Sequence, residues 1–159
     1  MKRLSADSDG MIEMPMRLLL ATTITALVLP VFWSGYQDLS LKRAENSVAL
    51  EVEGLMVTIQ SVMDGGSGSY QEVELSLDIP GTVVLGDFIA GGPVEGDESW
   101  TSFTVRYRFG GEGWAVVAPD PPIRMTSENL DSGLEIPEGT IKIYVRHDNV
   151  DGEHVAILG

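Results

Sequence analysis

The chain contains no cysteine among its 159 residues. That absence excludes disulfide frameworks, thiolate metal sites and cysteine nucleophiles together. Basic residues are scarce as well, because 10 lysines and arginines stand against 24 aspartates and glutamates, for a formal net charge of −14. A surface of that sign repels phosphate backbones, so we expect no nucleic-acid partner.

Recognisable catalytic motifs are also missing. The chain has no Gly-x-Ser-x-Gly elbow, no His-Glu-x-x-His and no glycine-rich phosphate loop followed by lysine. The paired carboxylates Glu72 and Glu74 alternate with apolar residues, which is typical of a solvated strand face. Since 43% of the residues are hydrophobic, the chain can still bury a core. We predict a protein that is not an enzyme, with no catalytic site, no cofactor and no evident small-molecule substrate.

The charge is distributed unevenly along the chain. Residues 1–35 hold three basic and three acidic side chains, whereas residues 36–159 hold seven basic and 21 acidic ones. Leu18 to Gln37 is a run of 20 residues without a charge, long enough as a helix to span about 30 Å. Trp33 and Tyr36 near its end match the aromatic belt of membrane interfaces. We predict a polar leader at 1–10 and a transmembrane helix at 11–37, with the lipid bilayer as a partner.

Two alternatives for the apolar run are a buried core helix and a cleaved secretory signal. The bulky residues of Val31-Phe32-Trp33-Ser34 do not suit the small-x-small pattern of the usual signal peptidase. Three basic residues precede the run and two, Lys42 and Arg43, follow it. The excess of one basic residue before the run favours an N-terminus in the cytoplasm and a C-terminal domain outside. The predicted location is therefore the cell membrane, as a single-pass protein.

An amphipathic helix is predicted to continue from the membrane helix over residues 38–64. Its apolar positions recur at steps of three and four, at Leu41, Ala44, Val48, Val52, Leu55, Ile59 and Val62. The small residues that follow predict a Gly/Ser hinge at 65–69. The apolar stripe is the natural element to pack against a sheet formed by the rest of the chain.

Beyond the hinge the apolar period changes to two, which predicts an acidic β-rich domain at 70–159. Gly110 to Gly113 predicts a hairpin. The expected strands lie at 72–79, 82–85, 101–109, 114–118, 141–146 and 155–158. The predicted fold class is therefore α+β, a long N-terminal transmembrane and amphipathic helix followed by a small antiparallel β-sandwich or β-sheet head.

The segment Asp148 to Glu153 has some of the oxygen ligands of a calcium loop. Val150 stands where a ligand is needed, so a hairpin turn is the favoured interpretation. His147 and His154 flank the turn and could share a metal, but two histidines without a third ligand make a weak site. We expect both to be solvent-exposed strand ends, and we predict no metal site.

A short polar leader ending in Gly10, then Met11-Ile12-Glu13, an apolar helix and an acidic β-rich head together resemble archaeal type IV pilin-like proteins with class III signal peptides. The junction Val62-Met63-Asp64-Gly65-Gly66 is similar to the helix-to-head junction of that group. The resemblance implies prepilin cleavage between Gly10 and Met11. It also implies that Glu13 pairs with the amine of a neighbouring subunit.

The function expected from these features is that of a membrane-anchored surface protein, a pilin-like subunit or accessory component of a type IV pilus-like filament. Its partners would be copies of itself or other pilin-like subunits. The alternative is a single-pass, membrane-tethered binding domain that interacts with another component of the cell envelope. Cleavage of the leader distinguishes the two, because an uncut chain would remain a single-pass anchor.

Overall fold

The computed structural model describes residues 8–79, 81 and 83–159, with side chains from residue 15 onward. Predictions that concern residues 1–7, Pro80 and Thr82 lie outside the described residues, and so does the predicted pairing of the Glu13 side chain. The chain divides into an N-terminal unit, Met1–Leu39, and a C-terminal unit, Ser40–Gly159. The amphipathic helical segment from Ser40 onward thus belongs to the same compact unit as the strands.

The long helix α1 runs from Ser8 to Asp64, with Pro15 and Pro30 inside it. Gly10, Met11 and Glu13 lie in its first turns. This confirms the predicted helical continuation from the apolar segment into the amphipathic one. In the C-terminal unit the predicted stripe is buried, at Ala44, Val48, Val52, Leu55, Ile59 and Val62.

The rest of the described chain forms two four-stranded sheets. Sheet 1 has the strand order β1-β7-β8-β5 and sheet 2 has the order β4-β3-β2-β6. All neighbouring strands are antiparallel except β5 and β8, which are parallel. The strands are β1 Tyr70–Ser76, β2 Leu85–Ala90, β3 Val105–Phe109, β4 Ala115–Val117, β5 Arg124–Ser127, β6 Leu134–Glu135, β7 Thr140–Val150 and β8 Glu153–Leu158.

One hydrophobic core joins the helix to both sheets. Leu55 and Ile59 of α1 belong to the same buried cluster as Val145 of sheet 1 and Phe88 of sheet 2. The helix therefore covers strand faces that would otherwise expose apolar side chains, as the layer arrangement of small α+β domains requires. The glutamate Glu51 adds a polar contact, because its Oε2 accepts a hydrogen bond from the backbone N–H of Ser76 at 3.2 Å.

Several predicted strand boundaries differ from the observed ones, and three of the differences are large. Of the residues expected in a strand at 82–85, the described Val83 and Val84 are not in one, and β2 runs from Leu85 to Ala90. A shift of register between Leu85 and Asp87 interrupts its alternation, which is the effect of a β-bulge. Strand β7 extends four residues beyond the predicted end at 146, and β1 ends at Ser76 although Leu77 is still buried.

The segment predicted as the first half of a strand at 101–109 is a 3-10 helix, Ser99–Phe103. Its hydroxyl side chains donate to carbonyls three residues earlier: Thr101 to Glu98 at 2.8 Å and Ser102 to Ser99 at 2.6 Å. Such local bonds stabilise a turn at the expense of the extended chain. The second half is β3, which pairs with β4 as the predicted hairpin.

Candidate functional site

The apolar segment of the N-terminal unit has the length and composition of a membrane span. Within Pro15–Asp64, an 18-residue window reaches a mean hydropathy of 1.8 and none of it is buried. A core helix of a soluble protein, the first alternative considered above, would be mostly buried. The exposed side chains include Leu20, Leu27, Val31 and Phe32.

The threonines of this segment have their hydroxyl groups satisfied within the helix. Thr23 donates to the carbonyl of Leu19 at 2.7 Å, and Thr25 donates to that of Ala21 at 2.8 Å. Thr22 bonds to the preceding turn in the same way. In hydrocarbon no water can satisfy a hydroxyl, so these internal bonds lower the cost of placing threonine there.

Trp33 and Tyr36 lie side by side near the end of the apolar segment. Their ring centroids are 6.4 Å apart, and both side chains are at least half exposed. Amphipathic rings of this kind are enriched where the hydrocarbon meets the headgroups. Their position is therefore consistent with the end of a membrane span.

The junction after α1 is bonded to sheet 1. The backbone N–H of Gly68 donates to the carbonyl of His147 at 2.9 Å, and the N–H of His147 donates to the carbonyl of Ser69 at 2.9 Å. Gly66 and Gly68 both have positive φ, at 84° and 88°, a conformation that favours glycine. The predicted hinge residues thus form a defined turn that enters β1.

The two histidines are in contact, and the expectation that both are exposed is wrong for His147. Its side chain is only 4% exposed, because it continues the inward-facing alternation of Ile143 and Val145 along β7. His154 is exposed, as predicted. Nε2 of His147 and Nδ1 of His154 lie 2.8 Å apart.

This histidine pair forms a hydrogen bond between two rings. Nδ1 of His147 is buried and has no partner among the described residues. The tautomer that avoids an unpaired buried donor has its proton on Nε2 of His147, which then donates to His154. Within the described residues no group of three histidines or carboxylates is placed to hold a metal.

The predicted hairpin at 148–153 is confirmed. Asp151 and Gly152 both have positive φ between the paired residues Val150 and Glu153, as in a two-residue type I′ turn. The Oδ1 of Asn149 accepts a bond from the backbone N–H of Gly152 at 2.9 Å. Asn149, one of the polar residues that resemble a calcium loop in the sequence, thus stabilises the turn itself.

An open cleft of about 360 Å³ lies between α1 and the β3–β4 hairpin, entirely within the C-terminal unit. Tyr107 forms its inner wall, and its ring stacks on Phe88 at 6.2 Å and meets Phe109 edge-on at 5.8 Å. Burial, with a smaller contribution from the Glu45 carboxylate, raises the pKa of Tyr107 above its usual 10.0. The sequence alone did not reveal this cleft, because its two walls lie about 60 residues apart in the chain. The lining residues are Leu41, Glu45, Asn46, Ala49, Tyr107, Arg108, Phe109, Glu112, Gly113 and Ala115.

Comparison with known proteins gives no relative from which a function could be transferred. No protein-family model matches the chain, and neither a curated protein nor a solved structure matches it. The functional argument therefore depends on the described geometry and on the residues themselves.

Proposed function

We propose that this protein is a non-enzymatic, membrane-anchored surface protein, a pilin-like subunit that holds an acidic β-rich head outside the cell membrane. The observation that supports the anchor is the uncharged, unburied segment from Leu18 to Gln37 with its internally bonded threonines. Lipid is the environment that such a surface requires, because water would have to solvate about 20 residues of exposed apolar side chains. Partner subunits that bury the same surface are the second environment available to it.

The pilin-like part of the proposal is supported by the order of elements along the chain. A polar leader precedes the apolar helix, and the same helix α1 continues into the core of the head. This order of elements, an apolar helical segment followed by an amphipathic one and then by strands, is the order of the resembled group. In the proposed orientation the N-terminus is cytoplasmic and the head is extracytoplasmic, as part of residues 36–159, which hold 21 acidic side chains.

Two measurements on the membrane-expressed chain test this proposal. Mass spectrometry of the mature N-terminus should find a chain that starts at Met11, as cleavage after Gly10 requires. A chain that retains Met1 would favour the alternative, a tethered binding domain. Alkaline extraction should leave the protein in the membrane fraction, and its release would contradict the anchor.

Orientation is tested separately by labelling introduced cysteines, because the chain has none of its own. Asp97→Cys lies in an exposed turn of the head and should react with a membrane-impermeant maleimide on intact cells. Ser5→Cys, in an uncleaved chain, should react only after the cells are opened. The reverse pattern would contradict the proposed topology.

A further inference from the structure

The cleft between α1 and the β3–β4 hairpin contains two exposed carboxylates that no described side chain pairs with. The carboxylates of Glu45 and Glu112 line it, and neither forms an ion pair or a side-chain hydrogen bond with any described residue. Arg108, the cation in the lining, is already paired with Asp87 and lies 4.9 Å from the ring of Trp114. The cleft therefore has two negative charges that no cation among the described residues neutralises.

Tyr107 is a second, independent sign of a missing ligand. Its side chain is 93% buried, since only 7% of its surface is exposed, and it lines the cleft. Its hydroxyl has no hydrogen-bond partner among the described residues, and its oxygen is not one of the fully buried polar atoms, so the open cleft leaves it available to a ligand. A ligand in the cleft that carries N–H groups would satisfy the hydroxyl as an acceptor.

The walls of the cleft define the kind of cation that fits. Leu41, Ala49, Phe109 and Ala115 are apolar, and two carboxylates are too few for a cage of oxygen ligands around a calcium ion. A side chain with an aliphatic stem and a cationic head matches both the apolar walls and the acceptors. A guanidinium fits best, because its planar fork donates to two carboxylates and also stacks on an aromatic ring.

The chain itself has two basic residues that lack a partner. Of the seven in 36–159, all of which the structure describes, five bind a carboxylate, a carbonyl or an aromatic ring: Arg106, Arg108, Arg124, Lys142 and Arg146. Lys42 and Arg43 are exposed and form no contact of this kind. At 3.6 residues per turn, Arg43 lies about 160° around α1 from Glu45. It therefore points away from the cleft of its own chain.

We propose that this cleft is the docking site for Arg43 of a second copy of the chain. The inference rests on the proposed function, because it requires parallel copies anchored in the same membrane. Arg43 lies between Leu41 and Glu45 on α1, so parallel neighbours bring the arginine and the cleft to the same depth. The contact joins two different surfaces of the same molecule, and such a heterologous contact can repeat from copy to copy.

Disulfide trapping tests this contact in liposomes that contain two differently tagged copies, in a background free of native cysteine. One copy has Gly113→Cys, at a position in the cleft where an added Cβ meets nothing within 4 Å. The other has Ser47→Cys, one turn beyond Arg43 on α1. Oxidation should produce a disulfide between the two tags. Asp97→Cys, exposed and outside the cleft, replaces Gly113→Cys as the matched control and should give little product.

Charge reversal shows whether the cleft recognises Arg43 itself. Adding Arg43→Glu to the Ser47→Cys copy should lower the cross-linked yield about tenfold, since a charge-assisted pair becomes a repulsive one. Adding Glu45→Lys and Glu112→Lys to the Gly113→Cys copy should restore the cross-linked yield, because the charges of the pair are then opposite again. A yield that Arg43→Glu leaves unchanged would overturn the proposed docking.

A third cross-link separates this inference from the proposed function. Leu27→Cys lies in the exposed apolar segment and should cross-link to itself when anchors associate in the membrane. If Leu27→Cys cross-links and the cleft pair does not, the docking site is wrong and the association of copies stands. If neither cross-links in a protein that stays in the membrane, self-association and the docking site both fail.

Discussion

Gly68 and His147 join the end of the long helix to the central part of sheet 1, because the N–H of Gly68 donates to the carbonyl of His147 at 2.9 Å. The bond needs Gly68 at a φ of 88°, a conformation that L side chains rarely adopt. The direction in which the chain leaves α1 is therefore determined by a glycine and by a strand 79 residues further on.

Gly68→Ala should destabilise the head by about 1–2 kcal/mol, because alanine is strained at this φ. Its added Cβ would meet nothing within 4 Å, so the loss would come from the backbone rather than from a collision. Gly111→Ala is the matched control, since its φ is not positive and its Cβ position is also open. Denaturant unfolding of the two variants in detergent should give a lower midpoint for Gly68→Ala alone, and equal midpoints would contradict the strained turn.

Leu55 and Leu50 lie on opposite sides of the same helix. Leu55→Ala should lower the free energy of unfolding by about 2–5 kcal/mol, since Leu55 is completely buried in the shared core. Leu50→Ala should change it by about 0.5 kcal/mol or less, because Leu50 is 69% exposed. Similar losses in both variants would mean that the helix is packed in a different orientation.

Leu27→Arg tests the membrane span. An arginine near the centre of a transmembrane helix costs about 2.5–3.5 kcal/mol of insertion free energy. We therefore expect a smaller fraction of the chain in the alkali-resistant membrane pellet. Leu50→Arg makes the same change at an exposed position of α1 in the C-terminal unit and should leave that membrane fraction unchanged. Equal membrane fractions for Leu27→Arg and the unmodified chain would contradict the span.

His154→Ala removes the ring that bonds to Nε2 of the buried His147. The buried nitrogen then lacks its partner, and we expect a loss of about 1–3 kcal/mol in the free energy of unfolding. The double variant His147→Leu with His154→Ala should lose less than the two single changes together, since it leaves no buried nitrogen unsatisfied. A double-mutant cycle with additive effects would show that the ring-to-ring bond contributes nothing.

Alkaline pH should lower the free energy of unfolding of the C-terminal unit, because Tyr107 loses its phenolic proton. Burial raises the pKa of Tyr107 above 10.0, with a smaller contribution from Glu45. Between the ordinary and the raised pKa, the folded chain keeps the phenolic proton that the unfolded chain has lost, so stability decreases as pH rises through that interval. The stabilisation linked to the raised pKa of Tyr107 is fully present below pH 10.0, the ordinary pKa of the phenol.

Tyr107→Phe should therefore show a smaller loss of stability than the unmodified chain as pH rises above 10.0. Glu45→Gln should reduce this loss of stability in part, because it removes the carboxylate charge that is the smaller cause of the raised pKa of Tyr107. Glu95→Gln, a carboxylate outside the cleft, is the control and should behave as the unmodified chain does. If Tyr107→Phe has the same pH dependence of stability as the unmodified chain, Tyr107 is not the cause of the alkaline loss.

Much of the fold could be predicted because it depends on local periodicity. The steps of three and four from Ala44 to Val62 identify the buried face of α1, and the alternation from Val105 to Phe109 identifies the inner face of β3. Where a local bond or a bulge breaks the period, as at Thr101 and Asp87, the pattern predicts the wrong element or the wrong boundary.

Two features needed information beyond the local pattern. His147 would have been found by extending the alternation of Ile143 and Val145 one step further along β7. The cleft at Tyr107 had no such signal, because it forms only when α1 packs beside the β3–β4 hairpin. The short strands β5 and β6 were missed for a similar reason, since they have four and two residues and acquire their extended form by pairing.

Strand β8 lies between β7 and β5, and β5 has no other neighbour in sheet 1. During synthesis Arg124–Ser127 cannot pair with its neighbour in sheet 1 until Glu153–Leu158 has been made. Pairing of strands this far apart along the chain is slow compared with local contacts. Sheet 1 would then be completed only after β8 is available, and a chain that stalls before that point would present an open sheet edge to its surroundings.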